Sequence, residues 1–423
     1  MRAGKENDTF CAETDRKAAQ RAVPVGEPGE PYGHREQSVL KYMSSKKAPD
    51  DAAGTQKAGF DGSSRQIKSL QSLELDASAL RGGPLAARAG FGLACRTEAL
   101  MYVITGGAGF IGSALLWQLN RMDLDEIVVV DNLASSEKWR NLVKRRYVDY
   151  LHRDRFYELM RRDALPWKIT AVVHLGACSS TTERDADFLM ENNFHYSRDL
   201  CRYALDKGAR FINASSAATY GDGSLGFSDD PALIPRLAPL NMYGYSKQLF
   251  DLWLLREKLR GEVVSLKFFN VYGPNEYHKG SMQSVVVKAH RQIREHGRLS
   301  LFKSDVPGLA DGEQKRDFVY VKDCTALLAW LLERKDVSGI HNVGTGAARS
   351  FNDLGRAVFA ALGRECRIDY VDMPETLRGK YQNYTRAEMD WLSRVDCPLG
   401  FTSLEEGVAD YVCNYLEKEG SYL

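Results

Sequence analysis

No run of consecutive apolar residues in this chain approaches the roughly 20 that a membrane-crossing helix needs, so no membrane span is expected. An excess of one charge is lacking too. The chain has 57 lysines and arginines against 56 aspartates and glutamates, a formal charge of +1. A broad basic surface for nucleic acid or for an anionic membrane is thereby excluded. Cysteine pairing is also missing. The eight cysteines (Cys11, Cys95, Cys178, Cys201, Cys324, Cys366, Cys397 and Cys413) are scattered and form no C-x-x-C pair. Neither a metal site nor a disulfide framework is expected, and a reducing cytoplasm is the expected compartment. The N-terminal stretch lacks the apolar core of a secretory signal, and its acidic residues argue against a transit peptide. What is present is 423 residues, 44% of them apolar and 10% aromatic, enough for one large or two medium domains.

Residues 1–100 read differently from the rest. Gly, Pro, Lys and Glu are scattered from Ala3 to Asp61 without periodicity, and such a segment buries too little apolar surface to offset its ordering entropy. Leu70, Leu73, Leu75 and Leu80 suggest a short, transient helix over Ile67–Leu80. A folded domain is expected from Met101, with Met101 as the true start and residues 1–100 as a disordered upstream extension of little function.

From Met101 the pattern is strand, glycine turn, helix, strand. Tyr102–Thr105 is an apolar run, followed by Gly106, Gly107, Ala108, Gly109, Phe110, Ile111 and Gly112, and then by a helical pattern through Leu115, Leu116 and Leu119. Ile127–Val130 is the second strand and ends at Asp131. Gly106 permits the tight turn, Gly109 lets backbone approach a pyrophosphate, and Gly112 lets helix and sheet pack closely. The helix N-terminus offers free amides and partial positive charge to the phosphates. A nucleotide site is the expectation. Asp131 can accept from a ribose 2′-hydroxyl, which favours NAD. Asn132, Lys138, Arg140 and Lys144 follow at once and would suit a 2′-phosphate, or simply form a solvated face. NAD against NADP stays open on residue chemistry.

Further strands are expected at Ala171–Leu175 and Phe211–Ala214, with a helix over Asp185–Leu205 that carries Asn192. Ser216 or Thr219 would offer a hydroxyl at a strand's carboxyl end, where ligands bind in such sheets; Ser215 reads as a turn residue. Tyr243 and Lys247 open an amphipathic run through Leu255. On a helix they share a face, whereas Tyr245 lies about 200° round from Tyr243. A phenol titrates near 10, and a neighbouring lysine cation lowers that value, which suits abstraction of a hydroxyl proton. The later chain is expected to alternate strands and helices. The helices are Gln283–His296, Lys322–Glu333, Phe351–Leu362, Thr385–Ser393 and Leu404–Leu416, and Lys315 and Arg316 precede a strand. Arg316, and Arg378 in a loop, could clamp a diphosphate.

The glycine turn, Ser216, and Tyr243 with Lys247, in this order, resemble the extended short-chain dehydrogenase/reductase family. The resemblance runs from Met101 to near the C-terminus. It implies an α/β fold, a Rossmann-type doubly wound parallel sheet over 101–269 with later segments returning to it. A smaller α/β substrate-binding domain would occupy 270–423. Ser216, Tyr243 and Lys247 would be the catalytic set, with Lys247 also on the nicotinamide ribose.

One branch, the epimerases that invert C6″ of ADP-glyceromanno-heptose for the lipopolysaccharide inner core, matches further. The matching stretches are Cys178–Thr182, Tyr272–Pro274 with His278–Ser281, Lys315–Tyr320 and Gly379–Gln382. By this resemblance Gly106, Gly109, Phe110, Ile111, Gly112, Asp131, Asn132 and Lys138 would hold the cofactor, NADP in that branch. Arg153, where the branch usually has lysine, would join them, as would Leu175, Gly176, Ala177, Cys178, Ser179, Asn192 and Lys247. Tyr243 and Lys279 would be the two acid/base groups. Asn270, Val271, Ser281, Lys288, Phe302, Lys303, Ser304, Asp305, Arg316 and Tyr381 would hold the ADP-heptose. Leu175 stands where glutamate is usual and Lys288 where histidine is usual, and the Ser304–Gln314 loop is long. A homo-oligomer, often a pentamer, is implied. The chemistry would pass through a transient 6″-ketone with tightly held NADP. The alternatives are an epimerase or dehydratase for another nucleotide sugar, such as a UDP-hexose 4-epimerase, and a non-catalytic nucleotide sensor.

Overall fold

Runs rich in valine and isoleucine pair side by side here because both faces of their sheet are covered by helices. The first strands are β1 (Leu100–Thr105), β2 (Ile127–Asp131), β3 (Asp149–His152), β4 (Lys168–His174), β5 (Arg210–Ser216) and β6 (Val263–Phe268). After them come β7 (Asn270–Tyr272), β8 (Leu299–Phe302), β9 (Lys315–Tyr320), β10 (Gly339–Val343), β11 (Ala348–Ser350) and β12 (Ile368–Val371). The order β10-β6-β5-β4-β1-β2-β3 makes one sheet of seven strands, parallel throughout. Every residue of β2 and β6 is buried. The computed structural model describes residues 100–375, 382–418 and 420–423. The extension before Leu100, its expected helix over Ile67–Leu80, and the loop with Arg378 and Tyr381 lie outside the described residues.

The helices are α1 (Phe110–Arg121), α2 (Arg153–Arg161), α3 (Ala186–Leu189), α4 (Tyr196–Asp206), α5 (Met242–Arg256), α6 (Val285–His296), α7 (Val321–Glu333), α8 (Phe351–Ala361), α9 (Trp391–Arg394) and α10 (Leu404–Tyr411). On one face of the sheet α1 and α7 bury Leu115, Leu116, Leu119, Leu327, Leu328 and Leu331. On the other, α2, α4 and α5 bury Phe156, Met160, Leu200, Phe250 and Trp253. Each such side chain contributes about 2 kcal/mol on burial. A third cluster joins α6, α8 and α10 around the β8–β12 pair through Val286, Ile293, Leu354, Val358 and Val408. No helix among the described residues is long and apolar enough to cross a membrane.

Strand order places the functional crevice. The chain moves outward from β1 to β3 and then returns to lay β4 on the other side of β1. The carboxyl ends of β1 and β4, with Thr105 opposite His174, therefore frame the point where strand order reverses. Ligands bind at such points in open parallel sheets.

Three expectations need correcting. Thr385–Ser393 is not a helix; only Trp391–Arg394 is helical. Partners from elsewhere take its polar groups: Thr385 N donates to Lys315 O at 3.1 Å, and Ala387 N to the buried carboxylate of Asp317 at 3.0 Å. Lys315 and Arg316 lie within β9 rather than before it. Ser215 is a residue of β5, not of a turn, and its hydroxyl donates to Asp251 at 2.8 Å. The expected Asp185–Leu205 helix exists but changes character midway, with Met190–His195 wound as a π-helix between α3 and α4.

Candidate active site

The crevice begins where β1 ends. Gly106 sits at φ +66°, a left-handed conformation without penalty for glycine. A Cβ there would stand 2.7 Å from the amide nitrogen of Gly176, so the loops after β1 and β4 meet through bare backbone. A Cβ on Gly112 would lie 2.1 Å from the carbonyl oxygen of Gly106. Gly112 thus lets α1 close onto the turn itself, whereas close packing on the sheet was expected. Gly109 caps α1 without any side-chain hydrogen bond. The helix's first amides and the positive end of its dipole are left at the turn, as a diphosphate requires.

Asp131, at the end of β2, is held on both oxygens. Oδ2 accepts from Ala108 N at 2.9 Å. Oδ1 accepts from Asn132 N at 2.7 Å and from Lys138 Nζ at 2.6 Å. The carboxylate therefore braces the glycine loop and is balanced by a cation. Asp131, Asn132, Lys138, Arg153 and Asn192 line one hollow, in which the Arg153 guanidinium donates to Asn192 Oδ1.

A chain of hydrogen bonds runs beneath the crevice. Gly176 N donates to Thr105 Oγ1 at 3.2 Å, and Thr105 Oγ1 lies 2.6 Å from His174 Nδ1. His174 Nε2 lies 2.7 Å from Ser197 Oγ, and Ser197 Oγ donates to Asn193 O at 2.6 Å. Because the serine proton is committed to Asn193, His174 must donate from Nε2 and accept at Nδ1. Burial, reinforced by Lys247, pushes this imidazole down to about 3, so it stays neutral. The carboxamide of Asn193 then grips Cys178, accepting from its N and donating to its O at 2.9 Å each. It also donates to Ser246 Oγ on α5 at 3.0 Å. The π-helical turn presents Asn192 and Asn193 together, and such turns recur at functional sites.

Helix α5 carries Tyr243 and Lys247 one turn apart, started by Asn241, whose side chain accepts from Gly244 N at 2.9 Å. Tyr245 is exposed, in keeping with its position round the helix. Lys247 is buried and donates to Ala214 O at 2.7 Å. Burial lowers its ammonium to about 8, against an opposing pull from Asp251. The expected depression of Tyr243 by Lys247 is not found. Burial raises the phenol above its ordinary value, and only its hydrogen bond with the Ser216 side chain pulls it back. Ser216 ends β5, and its Oγ also accepts from Ala218 N at 3.1 Å. Thr219, the other hydroxyl considered, is fully buried between Ser216 O and the ammonium of Lys267.

The opposite wall is the turn Tyr277–Met282. Lys279 Nζ stands 5.2 Å from the centre of the Phe110 ring. Burial lowers its ammonium, Glu276 opposes that shift and Lys288 adds to it. His278 is pushed down to about 4, by burial first and then by the cations of Lys138 and Lys279.

These elements enclose a cleft of about 610 Å³. Its walls bring together Gly106, Gly109, Phe110, Ile111, Gly112, Asp131, Lys138, Ser216, Tyr243, Lys247, Val271 and Lys279. The segment from Leu175 through Gly176, Ala177 and Cys178 to Ser179 lines it as well, while Asn132, Arg153 and Asn192 of the expected cofactor set line the hollow beside Asp131 instead. Ser136, His278, Met282, Phe268 and Phe269 also line it and were not singled out. Of these only His278 had a signal, its place beside Lys279. Asn270, Ser281, Lys288, Phe302, Lys303, Ser304, Asp305 and Arg316 do not line this cleft. Lys288 donates to Ser281 O at 2.7 Å, Lys303 pairs with Asp372 at 3.0 Å, and buried Arg316 packs over the Phe351 ring. Among the described residues no group of histidines, cysteines and carboxylates could hold a metal.

Residues 102–344 match the NAD dependent epimerase/dehydratase family. An ADP-L-glycero-D-manno-heptose-6-epimerase of Nitratidesulfovibrio vulgaris is 63% identical over 323 residues, 76% of this chain and all of that protein. A counterpart of the same name from Fusobacterium nucleatum is 48% identical over 332 residues, again 76% of this chain and all of that protein. Among solved structures, the Helicobacter pylori ADP-L-glycero-D-manno-heptose-6-epimerase superposes with a TM-score of 0.62 at 26% identity, covering 75% of this chain and 96% of that one. A Thermus thermophilus UDP-glucose 4-epimerase in complex with NAD gives 0.60 at 26% identity, over 75% and 99% of the two chains.

Proposed function

The chain belongs to the NAD dependent epimerase/dehydratase family, in its ADP-L-glycero-D-manno-heptose-6-epimerase branch, and from that premise we propose how its cleft inverts C6″. The substrate is ADP-D-glycero-β-D-manno-heptose and the product its L-glycero epimer, for the lipopolysaccharide inner core.

The residues fit a nicotinamide dinucleotide. The turn at Gly106 and Gly112 leaves no room for a Cβ, the uncapped start of α1 adjoins it, and the floor from Leu175 to Ser179 is fixed by Thr105 and Asn193. We read the cofactor as NADP. Lys138 neutralises the one carboxylate that would repel a 2′-phosphate, and Arg153 lines the same hollow. When bound, the nicotinamide supplies removal and return of hydride at C6″, leaving a ketone on the sugar between the two.

Proton handling falls to the protein. Inversion puts the C6″ oxygen in two positions, and one base cannot serve both well. Tyr243 and Lys279 line the same cleft, with the phenol raised and the ammonium lowered from their ordinary values. Groups displaced in opposite directions suit acid and base roles. Lys279 takes the hydroxyl proton of the D-glycero epimer, and Tyr243, steadied by Ser216, returns a proton to the oxygen of the L-glycero epimer. The roles exchange in reverse. The observation that carries this reading is the convergence of both groups on the glycine turn. The six described cysteines, all free thiols, suit a reducing cytoplasm, and sedimentation would test the homo-oligomer that the family resemblance implies. The decisive experiment denatures the purified protein, identifies the released nucleotide as NADP or NAD, and assays ADP-heptose beside UDP-galactose. Turnover of UDP-galactose alone would refute the substrate, and release of NAD would refute the cofactor.

A further inference from the structure

Glu276 is a carboxylate buried to 0% exposure, outside the cleft lining and assigned no part in the chemistry above. Burying a charge is costly unless it is hydrogen-bonded or paired, so its partners indicate its use. Ser284 N donates to Oε2 at 2.5 Å, and Ser284 Oγ to Oε1 at 2.7 Å. Gly273 N donates to Oε1 at 3.3 Å. Gly273 precedes and Ser284 follows the turn Tyr277–Met282, so one carboxylate pins both ends of the segment carrying His278, Lys279 and Met282 into the cleft. The turn is fastened internally as well. Lys279 N donates to Glu276 O at 3.0 Å, and Gln283 Nε2 to Tyr277 O at 2.7 Å.

We propose that Glu276 is a positioning residue for the reaction, clasping the two ends of this turn so that Lys279 is held at the sugar with a negative charge behind it. The proposal rests on the reading of Lys279 as an acid/base group. Lys279 is faced by Glu276 on its own turn, by Lys288 from α6 and by the Phe110 ring from α1, with His278 beside it. Glu276 is faced by Lys279 and Ser284, by Lys288 from α6, and by the tyrosines Tyr277 and Tyr411, the latter from α10. Its charge opposes the drop that burial and Lys288 impose on Lys279, and so keeps that amine basic enough to take the hydroxyl proton. A serine or amide clasp could fix the turn; only a carboxylate also does this.

The test uses full-length Glu276→Gln, Glu276→Asp, Ser284→Ala and Lys279→Met. For each, kcat and KM for ADP-heptose and the bound nicotinamide nucleotide are measured. The pH midpoint of amine labelling at Lys279 is followed by mass spectrometry in the variants that retain it. In Glu276→Gln, kcat should fall about tenfold with KM and bound nucleotide within about twofold, and the Lys279 midpoint should move down by about half a pH unit or more. Glu276→Asp keeps the charge and should keep the midpoint. An unmoved midpoint in Glu276→Gln, or wild-type kcat, overturns the proposal. Should Glu276→Gln fail to fold, Ser284→Ala decides: a kcat about threefold lower or less, with nucleotide retained, supports the clasp, and wild-type kcat defeats it. Full turnover in Lys279→Met would instead refute the role of Lys279, whereas an inactive Lys279→Met beside a fully active Glu276→Gln defeats the clasp alone.

Discussion

The ammonium of Lys247 donates to the carbonyl of Ala214 at 2.7 Å, although the phenol of Tyr243 lies one helical turn away on the same face of α5. The lysine is anchored to the end of β5, and its charge is held in a buried place where Asp251, and after it Cys178, oppose the cost of burial. Its ammonium is lost as pH rises through about 8. Turnover should therefore decline above that pH. In Lys247→Arg, whose group stays charged, the alkaline decline should move upward even if the maximal rate is lower. A pH–kcat profile of both proteins checks this.

Tyr243→Phe and Lys279→Met should each cost epimerisation about two to four orders of magnitude while the protein still carries its nucleotide. Product ratio by chromatography and nucleotide content by absorbance separate lost chemistry from lost binding. Near-normal turnover in either variant would remove that residue from the proton transfers.

Asn193 has no exposed surface and ties Cys178 to Ser246 by its carboxamide alone. Asn193→Ala takes a partner from four polar groups, the amide and carbonyl of Cys178, Nδ2 of Asn192 and Oγ of Ser246, at a cost of about 1–3 kcal/mol for each that no water or other partner satisfies. The melting temperature should drop by several degrees, and kcat should fall further than KM rises, since floor and catalytic helix lose register with each other. Retention of both wild-type kcat and melting temperature would show that the link is dispensable.

His174 is neutral when folded and has its pKa near 3, against 6.5 for the free side chain. Between these values the unfolded chain binds a proton that the folded one refuses. This residue's contribution is therefore whole above pH 6.5 and is lost as pH falls towards 3, at about 1.4 kcal/mol per pH unit. In His174→Asn the acid-side slope of unfolding free energy against pH should flatten, as denaturant titrations at several pH values would reveal.

Gly112→Ala places a methyl 2.1 Å from a backbone oxygen of the turn. Neither atom is the free end of a flexible side chain, so helix and turn must part. The purified variant should lose most of its nicotinamide nucleotide and melt lower. Full nucleotide content would show that α1 can back away without loss.

The parts legible in the sequence were those whose partners lie close along the chain. The turn from Gly106 to Gly112, the strand end at Asp131 with Lys138 seven residues on, and the Tyr243–Lys247 spacing all report short-range geometry. Asn193 meets Ser246 across 53 residues, and Asp317 meets Ala387 across 70; no local pattern announces such pairs. Thr385–Ser393 failed for the same reason. Its apolar spacing fits a helix, but Asp317 and Lys315 claim its amides from a distant strand. Nothing local marks Glu276, because a charged residue in a loop ordinarily faces water; its burial comes from Ser284 at the start of α6 and Tyr411 of α10 packing against it.

The edge position of β10 bears on how the molecule is made. Gly339–Val343 pairs along β6, a strand buried at every residue, yet it is synthesised about 70 residues later. During translation at ~5–20 residues per second, the rim of β6 stands unpaired for several seconds after it leaves the ribosome. An apolar, open rim of that kind is a template for pairing with another nascent chain. Crowded polysomes and high expression temperature should therefore reduce the yield of this protein more than its finished stability would suggest.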